Sequence, residues 1–416
     1  MRIIRQNTFL LLLVVSCHLK AQYNTNFLNY SYSGRCVGTN LDFEAGSNGI
    51  KNGMVNKLVR GGYIGDGLKN NSARTMHAIN NFGIHLNYDV SAFVKGTKKF
   101  DYHFGIKEQS LINATFTKDF YNLMFYGNSM YKGQTASLKN CNVNALRFQE
   151  FKFGVMMHSI DTIGKIGVAV SILKGEQLFF IKTFNNSSLY TSEDGTEVAF
   201  YSDFSMAISD TTNKGRIARF NGIGASADLY FETPYKSKIG QKSVLVVSAN
   251  NIGFIHWGGN SVQYSSDSLL KFSGYTVNSL DDLKDSTLRR IDGDSLVRRL
   301  TSAREEPFNV NIPTNLLIIN KIKFNNRYTL VGGYRYIFNA NYRAYFFTES
   351  EFTFGKFMWT IHTGYGGYGR LNIGSSLCYN SEHWYLKVGS NSLQGFIAPK
   401  NTYGQGVFFS FARKLK

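Results

Sequence analysis

Strict alternation of apolar and polar residues recurs through most of this chain and limits its fold more than any other feature. Successive side chains of a strand point to opposite faces, so a run with one greasy and one wet face must separate two different surroundings. In Ile84-Leu86-Tyr88-Val90-Ala92-Val94 the even positions are apolar, and His85, Asn87, Asp89 and Ser91 stand between them. Val198 to Ile208 repeats the pattern, with Phe200, Phe204 and Met206 against Tyr201, Asp203 and Ser205. Ile223-Ala225-Ala227-Leu229-Phe231 alternates with Gly222, Gly224, Ser226 and Asp228. The C-terminal third is hairpin after hairpin: Phe357-Trp359-Ile361-Thr363-Tyr365, Leu371-Ile373-Ser375-Leu377-Tyr379 and Trp384-Leu386-Val388 are each interleaved with other residues. Val407-Phe409-Phe411 then closes the chain as a last strand pairing back to the first. The breaks at Asn325-Asn326, Gly355-Lys356 and Asn380 to His383 have hairpin-turn chemistry.

Runs of this kind number about 14, within 12 to 16, starting near residues 82, 100, 146, 165, 196, 217, 241, 308, 327, 343, 357, 371, 384 and 404. A soluble β-sandwich also alternates, but so many long strands with short turns would make one of unusual size. Composition agrees with a barrel: 15% aromatic residues with Tyr and Phe dominant, and 40 Gly against 4 Pro, suit long strands, tight turns and interfacial girdles. Mean hydropathy is −0.20 although 43% of residues are hydrophobic, so the apolar residues are diluted at short range. No block is long enough for a membrane helix. The expected fold is therefore all-β, a transmembrane outer-membrane β-barrel of antiparallel strands. Many runs exceed the roughly 9–11 residues needed to cross the hydrocarbon, so the wall should extend beyond the membrane on at least one side.

The N-terminus reads as a secretory signal over residues 1–21. Arg2 and Arg5 form the charged start, and Phe9 to Val15 an apolar run far short of the roughly 20 residues of a spanning helix. Val14-Val15-Ser16-Cys17 resembles a lipobox and Ala21-Gln22 an ordinary cleavage junction; the latter is favoured because a barrel needs no lipid anchor. Losing Arg2, Arg5 and Lys20 with the leader lowers the net charge from +18 to +15. The remaining cations are scattered singly apart from Arg289-Arg290 and Arg298-Arg299, which argues against nucleic acid and for anionic lipid headgroups or lipopolysaccharide phosphates. Cys36, Cys141 and Cys378 are widely spaced, allow at most one intramolecular disulfide, and match no metal or redox pattern.

Three regions do not alternate. Residues 22–80 are Gly- and Asn-rich and read as an N-terminal plug or a periplasmic segment, which starts the barrel at residue 81 and runs it to 416. Residues 119–142 carry Phe120-Tyr121-Leu123-Met124-Phe125, a helical turn. Residues 258–306 are the longest insertion. There Leu280, Leu283, Leu288, Ile291, Leu296, Val297 and Leu300 recur at helical spacing among Asp and Arg, so the segment is partly helical and suits lying on the headgroup layer through its Arg residues or capping a barrel mouth, the latter favoured because its Asp residues resist anionic lipid.

Gly364-Tyr365-Gly366-Gly367-Tyr368-Gly369 has no following helix, and Gly61 to Gly67 lacks the phosphate-loop lysine, so neither reads as a nucleotide site. The histidines show no H-x-x-x-H or H-E-x-x-H spacing. His85, His103 and His362 fall on polar strand faces and read as solvated lumen residues. His158-Ser159 is the one His-Ser neighbour pair. An outer-membrane lipase would need Ser, His and an acid or Asn converging on the lipid-facing wall, which nothing in the sequence indicates. No enzyme activity, catalytic residue, cofactor or metal is expected. Glu349 and Glu351 share a face with Arg343 and are lumen candidates.

Several segments, taken in order, resemble a Bacteroidota outer-membrane β-barrel family catalogued as a domain of unknown function, distantly similar in layout to FadL-type and PorV-type barrels. They are Gly127-Asn128-Ser129-Met130-Tyr131-Lys132-Gly133, Glu150-Phe151-Lys152-Phe153-Gly154, Ile166-Gly167 leading to Leu173-Lys174-Gly175, and Asn250-Asn251-Ile252-Gly253-Phe254-Ile255-His256-Trp257. Phe272-Ser273-Gly274 and Asn311-Ile312-Pro313-Thr314 extend the likeness over most of the chain. The resemblance implies an exported barrel with no assigned activity. Its structural motif residues are Gly127, Asn128, Gly133, Asn251, Gly253 and Trp257: glycines at turns or close backbone approaches, and Trp257 as an interfacial anchor at a strand end.

Two functions are expected of such a chain. One is a barrel for passage or binding of hydrophobic or small amphipathic molecules, with such a molecule as ligand and outer-membrane lipid or lipopolysaccharide as surroundings. The other is an interaction barrel in protein secretion or surface assembly, with the insertion holding a partner protein.

Overall fold

The computed structural model describes residues 35–97, 99–158, 164–210, 213, 220–237, 239, 242–273 and 302–415. The signal segment and the helical spacing at Leu280–Leu300 lie outside these residues. In chain order the first strands are β1 (Arg35–Ser47), β2 (Ile79–Lys95), β3 (Phe100–Thr117), β4 (Gln134–Ser137), β5 (Asn142–His158), β6 (Lys165–Thr183) and β7 (Ser188–Thr191). There follow β8 (Val198–Ile208), β9 (Gly222–Tyr235), β10 (Lys242–Trp257), β11 (Val262–Phe272), β12 (Ser302–Glu305), β13 (Phe308–Asn311) and β14 (Thr314–Lys323). The last six are β15 (Tyr328–Phe338), β16 (Arg343–Phe354), β17 (Phe357–Gly367), β18 (Leu371–Asn380), β19 (Trp384–Ser390) and β20 (Gly404–Leu415). Among the described residues, four α-helices, α1 (Asn52–Arg60), α2 (Asp66–Ala73), α3 (Lys118–Tyr126) and α4 (Gln394–Ile397), lie between them.

Fourteen strands form one closed antiparallel ring in the order β1, β2, β3, β5, β6, β9, β10, β14 to β20. β1 closes it, pairing with β2 from Cys36↔Phe93 to Ser47↔Phe82 and with β20 from Arg35↔Leu415 to Gly46↔Gly404. The expected number of strands is met with a different membership. The wall begins at Arg35, not at residue 81, because Val37, Thr39, Leu41 and Phe43 alternate with Gly38, Asn40, Asp42 and Glu44 as in any other wall strand. Conversely β8, expected in the wall, lies in a side sheet, β4–β7–β8–β11–β12, that joins the ring where β8 pairs with Phe179–Thr183 of β6. Both faces of β8 are partly exposed, so its alternation records two wet surroundings and not a wall.

An even strand count puts both ends of the described chain at one end of the barrel. That end carries the short connections, such as 96–99, 324–327 and 355–356; the other carries 48–78, 118–141, 184–221 and 258–307. Of the segment expected as an N-terminal plug or a periplasmic segment, residues 48–78 lie at the long-loop end and carry α1 and α2. Asn52 of α1 donates to the Gly404 carbonyl (2.7 Å), Arg370 donates to the carbonyls of Asn48 and Thr75, and Met54, Met76, Phe116 and Tyr121 pack together beneath. α3 falls where the aromatic stretch predicted a helical turn. Thr117 caps it by accepting from the Phe120 amide at 3.0 Å.

Outward residues form the apolar band: Phe104, Ile106, Phe151, Phe153, Val170, Ile172, Leu229 and Phe231 are all more than two-fifths exposed. At the short-turn end it is edged by paired rings, Phe352–Trp359, Phe357–Tyr379 and Trp384–Phe411. On the other side the outer face of β3 and β5 turns polar at the Glu108–Arg147 ion pair, and the strands continue past it. β2, β3, β5 and β6 have 17, 18, 17 and 19 residues, well beyond the roughly 9–11 that span the hydrocarbon, so this half of the wall overhangs the band.

Candidate functional site

Inward-facing residues make the site, and they come from opposite walls. A ring of about 14 strands, if round, would be wide enough to leave open space, since about 8 strands already suffice for side chains to fill a barrel. Here opposed walls touch. Arg335 on β15 donates to Glu44 on β1 at 3.0 Å, and Asn251 on β10 donates to Gln109 on β3 at 3.3 Å. Tyr368, at the β17–β18 turn, lies so close to Gly83 of β2 that a Cβ there would meet its ring at 2.2 Å. The cross-section is flattened and the lumen is filled.

Register stacks the polar groups in successive rungs across β1, β2, β3 and β5: Glu44, His85, Leu111, Leu146; then Asp42, Asn87, Gln109, Phe148; then Asn40, Asp89, Lys107, Glu150. At the next rung Lys152 ion-pairs with Glu150 at 3.1 Å and with Asp228 of β9, and all three are almost wholly buried. Ser171 donates to Glu150 at 2.7 Å and Gln109 to its other oxygen at 3.4 Å. The Asn250-Asn251 bulge serves the same cluster. Asn251 adopts φ +62°, which turns its backbone N–H onto Asp228 Oδ1 at 2.8 Å.

Between the rungs and the opposite wall is a cavity of about 30 Å³, bordered by Asp42, His85, Asn87, Lys107, Asn250 and Arg335 among others, room for one or two waters. Directly behind the cluster, outside the wall, an apolar groove of about 750 Å³ runs between Val90, Phe104, Ile106, Phe151, Phe153 and Ile172. Its floor includes Ser91, Gly105, Lys152 and Ser171, which places the buried charges level with the apolar band.

The residues singled out from the sequence are scattered. Glu349 faces the lumen and holds His362 Nδ1 at 3.0 Å, while His362 Nε2 meets the Tyr345 hydroxyl at 2.7 Å. Glu351 shares that face, but Arg343 does not join them, because a register shift between Arg343 and Phe346 leaves it exposed at the strand's start. His103 and His362 are each 1% exposed, so they are packed lumen residues and not solvated ones. Trp257 stands at a strand end yet faces inward, fully buried with Leu146, Phe148 and Leu173; it is a core residue and no interfacial anchor. Gly127 and Gly133, flanking the turn opened by Asn128, take φ +80° and +67°, and Gly253 lets the Ala225 carbonyl within 2.1 Å of where a Cβ would stand. Cys36, Cys141 and Cys378 are buried and unpaired. Among the described residues, no group of three or more His, Cys, Asp or Glu is arranged to hold a metal ion.

Sequence reasoning missed Glu150, Lys152, Asp228, Lys107, Glu44 and Arg335 as a group. A usable signal existed: an ionisable residue between two lipid-facing ones, as in Phe151-Lys152-Phe153 or Ala227-Asp228-Leu229, must point into the lumen at membrane depth.

A closed, even-numbered antiparallel ring, apolar and girdled outside and polar within, is a transmembrane β-barrel of the outer-membrane type. Residues 36–380 match the family described as "Family of unknown function (DUF5723)", and the chain belongs to it. No curated protein matches the sequence. Solved structures similar to it include a deltaS2S3 mutant of the TodX monoaromatic hydrocarbon channel, 9% identical with a TM-score of 0.46, covering 95% of this chain and 96% of that one. The Ralstonia pickettii toluene transporter TbuX is 9% identical, TM-score 0.42, with 92% and 90% covered. The translocator domain of the autotransporter NalP from Neisseria meningitidis is 8% identical, TM-score 0.34, with 94% and 93% covered. With TM-scores below 0.5, none of them bears on what this chain carries.

Proposed function

We propose that the protein is an exported barrel of the cell outer membrane that passes small amphipathic or polar molecules, and that the described conformation is its closed state. The observation that carries this reading is the buried Glu150–Lys152–Asp228 cluster at the depth of the apolar band. Buried ion pairs are seldom a source of stability, since apolar residues of similar volume commonly do as well or better. Ionisable groups inside a membrane typically line a path. Short turns at one end and long loops at the other favour periplasmic and exterior sides respectively. Residues 1–21 supply the export leader, with cleavage after Ala21 in preference to lipidation at Cys17. Purified protein in liposomes tests the function: swelling in small sugars or amino acids supports it, and impermeable, correctly folded barrels under every condition of voltage and loop removal reject it.

A second reading has its own support in the overhanging wall and the side sheet β4–β7–β8–β11–β12, which form a platform beyond the apolar band. A secretion or surface protein is the partner such a platform suits. Capture of a partner by the intact protein, lost when residues 258–306 are deleted, supports this reading; unchanged capture counts against it.

A further inference from the structure

The cavity in the lumen is bordered by polar atoms whose partners are missing, and the bonding around it dictates what those atoms want. Glu150 can only accept from Gln109 Nε2, so Gln109 Oε1 accepts from Asn251 Nδ2, which leaves Asn251 Oδ1 as an acceptor with nothing to accept. Asp42 likewise takes the amide of Asn87 at 2.6 Å and leaves Asn87 Oδ1 an unused acceptor. Asn250 uses neither its oxygen nor its nitrogen. All three side chains are more than nine-tenths buried and border the same void, together with Lys107. An apolar ligand would leave every one of these atoms unsatisfied, which is costly. Water, or a small solute bearing both donors and acceptors, would satisfy them.

Above this void, toward the long-loop mouth, one ion pair ties the two walls. Arg335 donates to Glu44 across the lumen at 3.0 Å, to its neighbour Asn315 at 3.0 Å, and stacks on Tyr342 at 5.2 Å from the ring centre. Arg335 is 5% exposed at its side chain and Glu44 22%, so the pair is largely buried. Asn251–Gln109 is a tie below the void, and on the mouth side Asn341 donates to Asn113 of β3 at 2.6 Å.

We propose that the cavity is the constriction of a path for small hydrophilic solutes, and that the Arg335–Glu44 pair is the latch that holds it shut. This rests on the passage reading given above. Freeing Arg335 from Glu44 removes the bond that draws β15 onto β1, so that Tyr342, and Tyr368 packed against Gly83 above it, can part and join the void to the mouth. The solutes it admits are of the size and polarity of ions, short polyols or amino acids.

Single-channel recording on full-length protein in planar bilayers, with folding checked by heat-modifiable gel mobility, tests the latch. Glu44→Gln and Arg335→Met should each raise time-averaged conductance by about tenfold or more, the scale on which losing a buried ion pair shifts a two-state equilibrium. The exchanged pair Glu44→Arg with Arg335→Glu should return it to the wild-type level. Folded single variants that conduct no more than wild type, while removal of residues 48–78 opens the barrel, would overturn the latch and leave the passage reading standing. Variants that stay closed in every combination, with those residues removed as well, would overturn both.

Discussion

The two halves of the wall are built by different means. From β2 to β10 the ring strands (β2, β3, β5, β6, β9 and β10) have 14 to 19 residues, and their inner faces meet through charge: Lys152 between Glu150 and Asp228, with Lys107 and Asp89 one rung away. From β15 to β19 they have 7 to 12 residues, and the inner faces meet mainly through rings, Tyr345 and Phe347 stacked with His362. The first half overhangs the apolar band and the second barely crosses it. What the contrast teaches is that stability and solute contact are divided between walls: the short hairpins supply compact apolar packing, and the tall strands supply the buried charge that stability alone would not require.

The largest effect that can break this contrast is at Lys152. Lys152→Met leaves Glu150 and Asp228 buried without their cation, and should cost about 3–5 kcal/mol of folding stability, read from urea unfolding in detergent or lipid. Lys387, the buried lysine of the short half, lies against the Phe408 ring at 5.5 Å, and Lys387→Met should cost less than about 1 kcal/mol in the same assay. Equal losses at the two lysines would erase the distinction. Between these in size, Tyr345→Phe removes one end of the Glu349–His362–Tyr345 chain and should cost about 1–3 kcal/mol, since His362 Nε2 is left buried without that partner. Smallest is Glu108→Gln on the outer polar belt, where the exposed pair with Arg147 should be worth about 0–1 kcal/mol and the loss should shrink further in high salt.

How far the sequence could be read follows from what alternation encodes. It states that two faces differ, which is why the outward sets on β2, β9 and β17 to β20 were legible down to the residue. It does not state which surroundings the faces meet, so the half-buried β8 of the side sheet alternates just as a wall strand does. The short apolar set Val37, Leu41 and Phe43 was lost in a Gly- and Asn-rich stretch. The candidate site was legible only in part. Glu349 and Glu351 could be placed on the inner face, but the Arg335–Glu44 and Asn251–Gln109 bonds depend on how far the ring is flattened, and no local pattern carries that.

The seam between β1 and β20 has a consequence for how the molecule comes into being. Nearly every other wall strand bonds to a neighbour close by in the chain, so hairpins can accumulate as they arrive; this one junction joins Arg35 to Leu415 and must wait for β20. A chain cut short before Gly404 would carry two bare edges, whose unbonded amides and carbonyls hydrocarbon does not tolerate. Hydrocarbon therefore tolerates this wall only once β1 and β20 are joined.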